Sequence, residues 1–141
     1  LSGYFWRHIP AIDASPAGPA AFLAAMGLTL EQANLDFTLV YRDAFRECGD
    51  EASARVCQRV HDDEVRHVRV AAEWLRELRE EPDDVARYQA CVPWPLGPAR
   101  AKGRRFDVAA RRRAGLETCL IECVETARST QELAASDRRR R

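Results

Sequence analysis

Between Gly49 and Pro82 lies a run, residues 51–80, with neither glycine nor proline. Nothing in it interrupts a helix, and at about 1.5 Å per residue it would extend about 45 Å. Asp50 stands where an N-cap is expected, and Pro82 with Asp83 and Asp84 closes the run and starts another short helix, 83–90. On a wheel of about 100° per residue with Glu64 at zero, Val56, Cys57, Val60, Val68, Ala71, Trp74, Leu75 and Leu78 fall within roughly 80° of one side. Arg55, Arg59, Asp62, Arg66, Arg69, Glu73 and Glu77 fall on the other. Glu64 and His67 lie inside the apolar stripe. No convincing alternating strand pattern appears anywhere in the sequence, so the chain is expected to be all-α.

The flanking sequence agrees. Residues 1–28 read as irregular, with an aromatic opening (Tyr4, Phe5, Trp6), three prolines and a short Ala-rich helix near 19–26 that Gly27 ends. Thr29 and Gln32 have the spacing of a capping box, opening a helix over roughly 30–47 that Gly49 stops. Residues 29–81 then form a hairpin of two helices. The third segment, 82–141, holds a proline-rich loop at 93–98, two helices near 107–114 and 116–135 separated by Gly115, and a basic tail, Arg138–Arg141, expected to be frayed.

A carboxylate facing a core needs a cation, a proton or dense hydrogen bonding, because burying it unpaired costs several kcal/mol. Glu64-x-x-His67 is the i, i+3 spacing that aims two ligands at one point inside a bundle. Across the Gly49 turn Glu31 supplies a third. It stands about 18 residues before that turn and Glu64 about 15 after, so both lie about 22–27 Å from the hairpin end. Carboxylate and imidazole donors suit iron or manganese. The plainer account is a buried Glu–His or Glu–Arg pair tying two helices together without metal. His61 falls near the border of the stripe and reads as a supporting or surface histidine; His8 is assigned no role. Asp36, Asp43 and Asp63 read as solvated or capping groups, with Asp36 a possible support of the site, and Phe37 and Trp74 as core. Cys119 and Cys123 share a helix face as packing residues.

Composition limits the classes. Residues 1–98 carry 10 basic and 16 acidic side chains, and 99–141 carry 12 and 6, so the zero net charge conceals a basic C-terminal third. RNA or another acidic partner could use it, but only Phe106 offers a stacking group among its arginines, and a solvated charge run is the simpler reading. Five cysteines, without a CxxC pair or a signal peptide, argue for a reducing compartment and point to the cytoplasm. No stretch has the ~18 apolar residues of a membrane span. Leu1 stands where an initiator methionine would, as if the chain began inside a longer gene product.

Several segments together resemble the ferritin-like family catalogued as domain of unknown function 455. They are Leu28–Phe37, the Arg42-Asp-Ala-Phe45 to Glu51 stretch, His61-Asp-Asp-Glu-Val-Arg-His67, Pro95–Gly103 and Arg112–Leu116. The resemblance covers most of 27–116 and fades after Leu116. It implies a four-helix ferritin-like bundle with a di-iron or di-manganese centre, built from a glutamate and a Glu-x-x-His in each of two helix pairs. On that pattern Glu31 is the lone or bridging glutamate, Glu64 the bridging carboxylate and His67 the terminal imidazole. Residues 1–28 contain no glutamate, so the chain holds one set, half a site. The other set would come from a missing N-terminal half or a two-fold partner chain. The function expected is an oxygen-activating oxidase or hydroxylase; the alternative is a metal-free helical scaffold.

Overall fold

The computed structural model describes residues 6–129, and every regular element among them is helical. In order these are α1 (Ile9–Asp13), α2 (Pro19–Phe22), a π-helical segment (Leu23–Glu31), α3 (Gln32–Glu47), α4 (Glu51–Leu78), α5 (Asp84–Cys91), a 3-10 turn (Pro98–Arg100), α6 (Val108–Arg113) and α7 (Thr118–Thr126). The all-α expectation holds. Of the expected final helix, 116–135, the described part is helical over Thr118–Thr126; its end, the 138–141 tail, Tyr4 and Phe5 lie outside the described residues.

Local chemistry sets most of the boundaries. Gly49 takes φ +78°, its amide bonds Arg46 O at 2.9 Å, and the amide of Asp50 bonds Phe45 O at 2.8 Å, which satisfies the last carbonyls of α3. Asp50 then caps α4 by accepting from the amide of Ser53 at 3.0 Å. Asp83 caps α5 through the amide of Ala86, and Asp107 caps α6 through that of Ala110, each at 2.8 Å. Gly115, at φ +73°, closes α6 as Gly49 closes α3. The proline-rich loop is irregular, as expected, and its Trp94–Pro95 peptide is cis.

The expected break at Gly27 and the capping box at Thr29 are both overturned. The chain stays helical from Pro19 through Glu47, passing through nine π-helical residues instead of a stop and a new cap. Thr29 is fully buried; its hydroxyl donates to Ala24 O at 2.7 Å and also meets the Tyr88 hydroxyl at 2.7 Å. Gly27 has a packing role, since a Cβ there would lie 2.1 Å from Ala71 Cβ. An end-of-helix glycine and a close-approach glycine look alike in sequence.

α3 and α4 form an antiparallel hairpin, and their contact is the most extensive between any two elements. The smaller helices cover one side of it. Leu35, Val65, Val68, Ala72 and Leu75 join Tyr88 of α5, Ala110 of α6 and Leu120, Ile121 and Val124 of α7 in one core. On α4 this divides the apolar stripe. Ala54, His61, Val65, Val68, Ala72 and Leu75 are buried, while Val56, Val60, Val70, Trp74 and Leu78 are exposed. The two sets are centred about 135° apart on the helix. Trp74, 57% exposed, and Phe37, 40% exposed, are therefore not core, as their apolar spacing suggested. α3 likewise leaves Tyr41 and Phe45 exposed.

Candidate metal centre

Glu64 lies at the seam between the covered and uncovered halves of α4. Glu31, at the end of the π-helical segment, reaches the same seam from the other arm of the hairpin, so the expected match in height is realised. Among the described residues, Glu31, Glu64 and His67 are the group whose donor atoms could hold one ion, all within 4.8 Å of one another. His67 Nδ1 is 3.1 Å from Glu64 Oε2 and 3.9 Å from Glu31 Oε1. Side-chain exposure rises from 11% at Glu64 through 28% at Glu31 to 55% at His67, so the group opens outward through the imidazole. His67 shares its side of α4 with Val60 and Trp74, each seven residues away.

The electrostatics are those of two carboxylates pressed together. Burial, with the adjacent Glu64 charge adding to it, pushes the Glu31 carboxyl above its ordinary range, and His67 acts in the opposite direction. Glu64 is better served: Asn34 Nδ2 donates to its Oε1 at 2.9 Å, and His67 faces its Oε2. Sequence reasoning missed Asn34. Its position three residues after Glu31, mirroring His67 after Glu64, was the available signal.

His61 belongs elsewhere. It is buried, not on the surface, with Nδ1 3.4 Å from Asp62 and Nε2 3.4 Å from Asp107, the cap of α6. Asp36, read as solvated or supporting the site, is also buried and serves a different purpose. Its Oδ1 and Oδ2 accept from Arg111 Nη1 and Nη2 at 2.8 and 3.0 Å, and also from the amides of Asp107 and Gly103, each at 2.8 Å. Arg111 further donates to Ala101 O at 2.9 Å and Gln32 O at 3.3 Å, and its guanidinium lies 3.8 Å over the Phe106 ring. Two members of the basic segment are thereby drawn inward. Arg111 is no part of a solvated run, and Phe106 already stacks on a cation. Asp43 and Asp63 are partly exposed and bind Arg42 and Arg105, and Arg66, respectively.

Two carboxylates and an imidazole, one carboxyl held above its ordinary range by burial, are a donor set that could hold a metal ion. Residues 3–122 match the sequence profile of a family described as protein of unknown function (DUF455). No curated protein and no solved structure matches the chain. The match across most of its length leads to one assignment: this chain belongs to the DUF455 family.

Proposed function

We propose that this chain is one helix pair of a ferritin-like bundle, and that Glu31, Glu64 and His67 form half of a carboxylate-bridged iron or manganese centre of the oxygen-activating oxidase or hydroxylase type. The observation that carries the reading is the convergence of the three donor groups within 4.8 Å at the middle of the hairpin. The uncovered apolar side chains of α3 and α4 support it, because a half-bundle would leave that much surface for a second helix pair. That pair would come from a two-fold partner chain or from another segment of a longer protein.

In this reading Glu64, Glu31 and His67 would hold the metal through their carboxylate oxygens and a ring nitrogen. Asn34 holds the Glu64 carboxylate in place through its 2.9 Å hydrogen bond. Glu31, uncomfortable as a bare anion, becomes the carboxylate most relieved by a cation. The chemistry such ions supply when bound is redox exchange with dioxygen. The apolar residues around the seam would exclude water once a second pair covers them.

Equilibrium dialysis against Mn(II), or Fe(II) without oxygen, followed by elemental analysis tests this. Bound metal that is lost on Glu64→Gln is the expected result; absence of metal from both monomer and dimer would sink the reading. One observation favours a second reading, a metal-free scaffold: Glu64 already has a partner at each oxygen. On that reading Glu64→Gln changes stability and no metal binds at all.

A further inference from the structure

Gly27 lies four residues before Glu31, and Ala71 four residues after His67. On antiparallel arms these offsets lead to one level, a single turn away from the ligands. There the backbone of Gly27 rests on the side chain of Ala71. A Cβ built on Gly27 would be 2.1 Å from Ala71 Cβ, against an ordinary contact of 3.4–4 Å. The same Cβ would be 3.6 Å from Ala71 Cα and 3.7 Å from Glu31 Oε2, both normal distances. One pair of carbons therefore sets how closely the arms approach at this level.

We propose that Gly27 and Ala71 are positioning residues for the metal ligands, their contact fixing the separation at which Glu31 meets Glu64 and His67. The proposal rests on the metal reading above and adds to it what determines affinity. Ligands within 4.8 Å of one another tolerate little spreading. Moving the arms apart by the roughly 1 Å that an extra methyl requires would take Glu31 out of shared reach.

The geometry dictates an unusual rescue. Gly27→Ala alone creates the overlap, whereas Gly27→Ala with Ala71→Gly moves the methyl to the other arm and leaves its nearest neighbour at 3.6 Å. The exchanged pair has the same total helix propensity, so stability is matched to first order. Co(II) affinity, read by calorimetry and by the visible absorption of the bound ion, is measured on the full chain together with helicity. Gly27→Ala is expected to weaken Co(II) binding about 10-fold or more and alter the spectrum, and the exchanged pair to restore both to within about twofold. Wild-type affinity in Gly27→Ala, or equal weakening in both variants, overturns the positioning role while leaving the metal reading intact. No Co(II) binding by the wild type overturns both. Should Gly27→Ala fail to fold, an exchanged pair that folds and binds as wild type supports the proposal, and one that does not overturns it.

Discussion

Asp36 on α3 and Arg111 on α6 form a two-pronged ion pair across 75 residues of sequence, and neither side chain is exposed. The two partners are not equally dispensable. Without Arg111, Asp36 keeps two backbone amides; without Asp36, a buried guanidinium keeps only neutral partners, carbonyl oxygens and the Phe106 ring. Asp36→Ala is thus expected to cost about 3–5 kcal/mol, and Arg111→Met clearly less. Chemical denaturation of the two variants measures this. Equal losses, or a loss under about 1 kcal/mol for Asp36→Ala, would remove the pair from the account of stability.

His67 is half exposed and contributes little to the core. His67→Ala should lower metal content about 10- to 100-fold in affinity while leaving helicity nearly unchanged. Circular dichroism and elemental analysis on the same sample separate the cases. An unfolded variant would mean that the imidazole is structural.

Glu31 carries a pH signature. Its folded-state carboxyl is held above the ordinary 4.5, mainly by burial, so its contribution to stability is present below that value and is lost as pH rises through the shifted one. Glu31→Gln removes that loss. Metal-free Glu31→Gln should match the wild type in acid and melt higher than it near neutrality, and saturating Mn(II) should reverse the order. Melting curves across pH, with and without Mn(II), read this directly; a gap that does not change with pH would show that burial of Glu31 is not the cause.

Tyr88 is fully buried, and burial pushes its phenol well above the ordinary range; its hydroxyl meets the Thr29 hydroxyl at 2.7 Å. Tyr88→Phe should cost about 0.5–1.5 kcal/mol. Thr29→Val leaves the phenol without a partner and should cost more, about 1–3 kcal/mol. Because both act on one hydrogen bond, the double variant should lose less than the sum. Additive losses in denaturation would mean that the two hydroxyls do not interact.

Much of the hairpin was legible in residue order. Gly49, Asp50, Asp83, Asp107 and Gly115 mark helix ends through hydrogen bonds that close within a few residues, so the signal and its effect lie side by side. The i, i+3 spacing of Glu64 and His67, and the equal heights of Glu31 and Glu64 about the turn, follow from helix rise alone. What residue order could not show was which half of the α4 stripe the other helices would cover. Val60 and Val68 are equally apolar, but one is exposed and the other buried.

Sequence by itself determined the all-helical class, the hairpin and the three residues that meet at its seam, because caps, breakers and periodicity act over one or two turns. Tertiary structure alone decided that Gly27 lets two helices touch and does not end one, that Thr29 joins Tyr88 instead of capping, and that Asp36 and Arg111 turn inward. Each of those outcomes depends on a neighbour more than 40 residues away. The free energy of packing there exceeds the roughly 1 kcal/mol by which a local cap would favour the alternative.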